Sequence, residues 1–144
     1  MISERRQDQR ETGPILLVDD EPYILRSLGY LLTREGYTVE TASNGEEALA
    51  RVGQLRPPLV FLDIMMPRMN GYEVCAQIKQ DPALADTYVI MLSAKGQQVD
   101  RERGLLGGAD EYMTKPFSPR EIAQRVRSLL VVGETGAPPP TERW

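Results

Sequence analysis

The stretch PILLVDDEP, residues 14–22, sets an unbroken apolar run from Pro14 to Val18 directly against three acids and a proline. A strand that is apolar at every position, rather than at alternate ones, is expected where a parallel sheet is covered on both faces. The run stops at Asp19-Asp20, and Pro22 suits the first turn of a following helix. On that helix Ile24, Leu25, Leu28, Leu31 and Leu32 fall on one face before Gly36 ends it. One strand handing over to one amphipathic helix is the start of a βαβ pattern, which the rest of the chain repeats.

Moving outward, a second strand is expected from Thr38 to Ala42. Ser43 or Asn44 then caps a helix that turns Ala48, Leu49 and Val52 inward. Pro57-Pro58 blocks its continuation into a third strand, Leu59 to Leu62, which ends at Asp63. A loop rich in Met and Pro, Ile64 to Gly71, leads to a helix from about Tyr72 to Gln80 that Asp81-Pro82 ends. Strand four runs from Tyr88 to Leu92 and stops at Ser93-Ala94. A short helix around Asp100 to Leu106 is broken by Gly107-Gly108, and strand five, Glu111 to Thr114, hands over to Lys115-Pro116. Ser118-Pro-Arg-Glu121 reads as a capping box: Ser118 caps, Pro119 takes the first helical position and Glu121 reaches back. The last helix buries Ile122, Val126, Leu129 and Leu130.

The ends differ from this. Residues 1–13 are polar and charged, and residues 133–144 read GETGAPPPTERW. Neither can bury enough surface to offset its ordering entropy, so both are expected to be disordered tails around one domain over 14–132. With 17 Lys+Arg against 21 Asp+Glu the chain carries a formal charge of −4 and no basic stripe, which argues against direct nucleic-acid binding. No apolar run approaches the roughly 20 residues of a membrane span, and the N-terminus lacks the apolar centre of a secretory signal. One cysteine and no histidine exclude an internal disulfide, a Cys/His zinc site and any histidine-activated nucleophile. A cytoplasmic, soluble protein is expected, and its chemistry must run on carboxylates, lysine and hydroxyls.

In an open parallel sheet, ligands bind beyond the carboxyl ends of the strands. Strand one ends in Asp19-Asp20, strand three in Asp63, strand four in Ser93 and strand five in Lys115. Three carboxylates gathered there repel one another unless a cation sits among them, and a hard ion such as Mg²⁺ prefers oxygen ligands. A carboxylate can also attack phosphorus to give an acyl phosphate, and Asp63, on the central strand, is the best placed to do so. Lys115 supplies a fixed cation and Ser93 a hydroxyl donor for such a transfer. Taken singly, each residue has a plainer reading: a charge pair at a helix N-terminus, a solvated lysine, a loop hydroxyl. Met65, Met66 and Met69 read as packing residues rather than soft-metal ligands, and Cys75 as buried and inert.

The four motifs LLVDDEP, LDIMMPRMNG, LSAK and GADEYMTKPFSPRE, each following a strand, strongly resemble the response-regulator receiver domains of two-component signalling. The resemblance runs from about Pro14 to Leu130. It implies an α/β fold of the flavodoxin-like (βα)5 kind, a three-layer sandwich with parallel strand order 2-1-3-4-5. It further implies that Asp63 is the phosphoacceptor, and that Asp19, Asp20 and Asp63 hold Mg²⁺, for which Mn²⁺ can substitute, with the main-chain carbonyl of Met65. Ser93 would be the hydroxyl that turns towards the phosphoryl group, Tyr112 the ring that moves inward with it, and Lys115 the cation, followed by a cis Lys115-Pro116 bond. The phosphoryl donor would be a sensor histidine kinase or histidine phosphotransfer protein, since this chain has no histidine of its own. The chain would act as a signalling phosphoacceptor rather than an enzyme, with output through a partner protein or a domain outside it.

Two further expectations come from the same likeness. Met65 and Lys95 fall where receivers vary and tune phosphoryl loss, which predicts a long-lived phospho-form. REIAQRVRSLL resembles the final helix of receivers that dimerise, so Arg120, Arg125 and Arg127 either form a solvated face or pair with a second copy. Two rivals remain: an aspartate-nucleophile phosphatase, which needs a second acid where Met65 stands, and a flavodoxin-like cofactor module, whose nucleotide phosphate the acidic first loop would repel.

Overall fold

A computed structural model describes residues 13–93, 108–115 and 117–130. Five parallel strands form one sheet: β1 Ile15–Val18, β2 Val39–Ala42, β3 Leu59–Asp63, β4 Tyr88–Ser93 and β5 Glu111–Thr114, in the order β2-β1-β3-β4-β5. Among the described residues the helices are α1 Pro22–Arg34, α2 Gly45–Leu55, α3 Gly71–Gln80 and a last helix, Pro119–Leu129. The expected three-layer α/β sandwich and its strand order are both present. The expected helix around Asp100 to Leu106, most of the two tails, Lys95 and the Lys115-Pro116 bond lie outside the described residues.

The continuous apolar strands are explained by two separate cores. Leu16, Val18, Val60, Leu62, Val89 and Met91 face α2 and α3, where Ala48, Val52, Val74, Cys75 and Ile78 meet them. Their chain neighbours Ile15, Leu17, Leu59, Phe61, Ile90 and Leu92 point the other way, onto Leu28 and Leu32 of α1 and Ile122, Val126 and Leu129 of the last helix. With a side-chain period of two and both faces covered, no position on the central strands can be polar without cost.

Local chemistry sets the helix boundaries. Asn44 caps α2 by accepting from Glu47 N at 2.8 Å, and Asn70 caps α3 in a full capping box in which Glu73 returns a bond to Asn70 N at 2.9 Å. The sequence signal for a capping box was read at Ser118, where the serine half is formed: Ser118 Oγ accepts from Glu121 N at 3.0 Å. Helix α3 begins at Gly71, one residue before the expected start, with Asn70 as its cap.

The solvated-face reading of the three arginines needs correcting. Arg125 Nε meets Glu111 Oε2 at 2.6 Å, and Arg125 Nη2 reaches Tyr88 at 3.3 Å, joining the last helix to β4 and β5. Arg127 is largely buried against Glu35, Nη1 to Oε1 3.6 Å, and ties the last helix to the end of α1. Amphipathic spacing places both at the edges of the buried stripe, where a long side chain reaches inward acids. Arg120 is exposed. Cys75 is buried as expected, and burial pushes its thiol up to about 11, which leaves it unreactive.

Candidate functional site

The site is positioned by backbone bonds that continue the sheet one residue past its strands. Asp19 N donates to Ala42 O at 3.1 Å, Ile64 N to Leu92 O at 3.0 Å and Lys115 N to Ser93 O at 2.7 Å. The residues at the carboxyl ends of β1, β3 and β5 are therefore held in register before any side chain is considered.

Carboxylate oxygens of Asp19, Asp20 and Asp63 all lie within 4.8 Å of one another. Asp19 and Asp63 are buried, at 1% and 6% exposure, while Asp20 is exposed. Lys115 Nζ stands 2.8 Å from Asp19 Oδ2 and 3.5 Å from Asp63 Oδ1. Asp19 Oδ1 accepts from Glu21 N at 2.9 Å, and the Met65 N–H donates to the Asp63 carboxylate. Ser93 is buried at the end of β4, and Tyr112 is half-buried on β5 against the α2/α3 core. Asp19, Asp20, Asp63, Ser93 and Lys115 thus share one end of the sheet, while Tyr112 sits within β5. Met65 departs from its reading as a packing residue. Ile64 and Met66 turn inward on either side of it, so Met65 is 62% exposed beside the buried Asp63.

Electrostatics single out Asp63. Burial, then the charge of Asp19, pushes its carboxyl up to about 7, with Asp20 adding to the rise and Lys115 and the Met65 N–H opposing it. Lys115 is raised as well, which for an ammonium favours the charged form. Burial alone would lower its ammonium, but the hydrogen bond to Asp19 and the charges of Asp63, Asp19 and Glu21 hold it above its ordinary value. One ammonium does not neutralise three carboxylates. A donor set of carboxylate oxygens with a solvent-facing member is the kind that suits a hard, partly hydrated divalent cation.

A stability consequence follows from the raised Asp63. The folded state keeps that proton up to a pH of about 7, whereas the unfolded carboxyl releases it near 3.8, so ionising Asp63 disfavours folding as pH rises between those values. Without divalent cations, Asp63→Asn is expected to be more stable than wild type at pH 8 by on the order of 1–3 kcal/mol, the gap closing towards pH 4. Thermal unfolding of both proteins in chelator, across that range, checks it. A gap that does not vary with pH would contradict the electrostatic account.

The sequence reading missed two residues here. Glu21 Oε1, the third acid of the DDE run, lies 3.5 Å from Lys115 Nζ. Gly71 packs against the main chain of Asp63 so closely that a Cβ would stand 2.5 Å from Asp63 O. Only the glycine itself, in the MNG turn, signalled that.

The family model described as response regulator receiver domain matches residues 15–127. The chain is 48% identical over 124 residues to the alkaline phosphatase synthesis transcriptional regulatory protein PhoP of Bacillus subtilis (strain 168), covering 86% of this chain and 51% of that protein. It is 39% identical over 122 residues to Protein PilG of Pseudomonas aeruginosa, covering 85% and 90% respectively. Among solved structures, Vibrio cholerae chemotaxis protein CheY4 superposes with a TM-score of 0.76 at 29% identity, over 83% of this chain and 99% of that one. The chain spans about half the length of PhoP and also of the transcriptional regulatory protein ResD, to which it is 46% identical over 123 residues. No helix among the described residues is long and apolar enough to cross a membrane.

Proposed function

This chain belongs to the response regulator receiver domain family, and from that premise we propose that it accepts a phosphoryl group on Asp63 and signals by the change in shape that follows. The observation that carries the reading is the set of three carboxylates within 4.8 Å of one another, with the Lys115 ammonium 3.5 Å from Asp63. A carboxylate oxygen of Asp63 attacks phosphorus and forms the P–O bond. The bond from phosphorus to the donor breaks, its electron pair staying with the donor, which is an imidazole nitrogen of a sensor histidine kinase or a histidine phosphotransfer protein. Lys115 meets the charge on the transferred group, and the Ser93 hydroxyl turns to donate to a phosphoryl oxygen. Asp19, Asp20 and Asp63, with the Met65 main-chain carbonyl, would hold Mg²⁺, with Mn²⁺ as a substitute. When bound, that ion supplies positive charge against the phosphoryl oxygens.

The charge placed on Asp63 is read out when Ser93 and Lys115 move towards it and Tyr112 follows, shifting the population between two conformers. Output then passes to a partner protein or output domain, as the names of the transcriptional regulators PhoP and ResD suggest, and a second copy of the chain is one candidate partner. The exposed Met65 side chain beside Asp63 favours a long-lived phospho-form by obstructing water.

Intact mass after incubation with acetyl phosphate or phosphoramidate tests the central claim. Wild type with Mg²⁺ is expected to gain one phosphoryl group, and chelation is expected to prevent the gain. No gain with Mg²⁺ present would leave a receiver fold without phosphoacceptor chemistry.

A further inference from the structure

Lys115 is shared by three carboxylates, and the least expected of them is Glu21. Its Oε1 lies 3.5 Å from Lys115 Nζ, against 2.8 Å for Asp19 Oδ2 and 3.5 Å for Asp63 Oδ1. Glu21 is the N-cap residue of α1, a position whose side chain ordinarily turns back to accept from the first helical N–H groups, and here it makes no such bond. Its main chain is nevertheless fixed at both ends. The N–H donates to Asp19 Oδ1 at 2.9 Å, and the carbonyl accepts from Ile24 N at 3.1 Å and Leu25 N at 3.4 Å. A side chain anchored in this way, and not used for capping, leans across the mouth of the site to the Lys115 ammonium.

The geometry sets two demands on that cation in opposition. For a phosphoryl group on Asp63 to be met, the ammonium must be free to turn to the oxygens of that group, while Asp19 and Glu21 together draw it towards the β1–α1 side. Asp19 is buried and faces the proposed metal position, so a bound cation engages it. Glu21, about half exposed, is the competitor that remains. We infer that Glu21 is a positioning residue that holds the Lys115 ammonium back from Asp63 and thereby slows phosphoryl uptake. The inference rests on the reading of Asp63 as phosphoacceptor. A half-exposed ion pair is a weak one, so releasing it changes the rate by a small factor, about 2- to 5-fold.

The test uses the full chain with phosphoramidate at saturating Mg²⁺, following intact mass with time over a range of donor concentrations. Glu21→Gln removes the charge, and Glu21→Asp keeps it but withdraws it by one methylene from Lys115. Both variants are expected to raise the limiting rate by about 2- to 5-fold, with the half-saturating donor concentration unchanged. In the metal-free proteins, both are expected to move the Lys115 side-chain NMR resonance in the same direction. If Glu21→Gln is faster while Glu21→Asp matches wild type in rate and resonance, Glu21 acts through charge at a distance and the positioning role is overturned. A rate in Glu21→Gln equal to or below wild type overturns it as well. Wild type that takes up no phosphoryl group defeats the underlying reading, and the inference with it, whereas normal uptake with unmoved variants defeats the inference alone.

Discussion

Asp63→Asn mixed with phosphoramidate and Mg²⁺ should keep its unmodified mass over times in which wild type is converted. The amide is nearly the same size as the carboxylate, so the main chain that holds residue 63, with β3 in register against β1 and β4, is retained. What is lost is the anionic oxygen that attacks phosphorus. The usual objection to such a result, that the variant has unfolded, is met in advance. Removing a buried charge beside Asp19 is expected to stabilise the metal-free protein at neutral pH and above, so a variant that is more stable and yet inert points to lost chemistry. Uptake by Asp63→Asn at the wild-type rate, with the group mapped to Asp19 or Asp20, would move the acceptor and sink the assignment.

Gly71→Ala should be among the most damaging single-methyl changes in the chain. The added Cβ would stand 2.5 Å from Asp63 O, 2.9 Å from Ile64 Cα and 3.1 Å from Asp63 C, all of them main-chain atoms that no rotamer change can move. Gly71 N also donates to Ile64 O at 2.8 Å, so the helix start and the strand end are bonded as well as touching. Relief requires the backbone to separate at the residue proposed to take the phosphoryl group. The expected cost is about 3 kcal/mol, which for a domain of this size lowers the Tm by roughly 10 °C or more. Phosphoryl uptake should fall even well below the Tm, because Asp63 and the Met65 N–H move with the strand end. Gly53→Ala is the matched control. Nothing lies within 4 Å of a Cβ there, on α2, and the change should stabilise by up to about 1 kcal/mol. A Gly71→Ala protein as stable as wild type would show that the close approach is not rigid.

The contrast between these glycines marks what could be read from the chain alone. Apolar runs at 15–18, 59–62 and 88–92 identified parallel strands because both faces of each are covered, a property of composition that needs no coordinates. The acids and the lysine were legible because they follow those runs immediately, and strand ends in a parallel sheet share one side. Contacts set by distance across the fold were not legible. Nothing in the spacing of Arg127 told that Glu35 would bury it, and nothing in MNG told which main chain Gly71 would meet. Glu21 fell between the two cases: its place beside Asp20 was visible, while its reach to Lys115 depended on where β5 lies in the sheet. The α3 capping box is legible in Asn70 and Glu73, three residues apart at the end of the Met- and Pro-rich loop.

Lys115 and Glu21 are 94 residues apart in sequence, and the contact between them spans nearly the whole described fold. A chain emerging from the ribosome makes β1, β3 and their acids long before the residue that partly balances them. Until β5 docks on β4, the carboxylates lack the Lys115 ammonium, and contacts of such long sequence separation form late in folding. An unfinished or clipped chain would therefore present the proposed acceptor without the lysine proposed to serve it. On the proposed reading, competence to take the phosphoryl group would in effect report that the last strand has arrived, and would keep incomplete molecules from drawing signal away from complete ones.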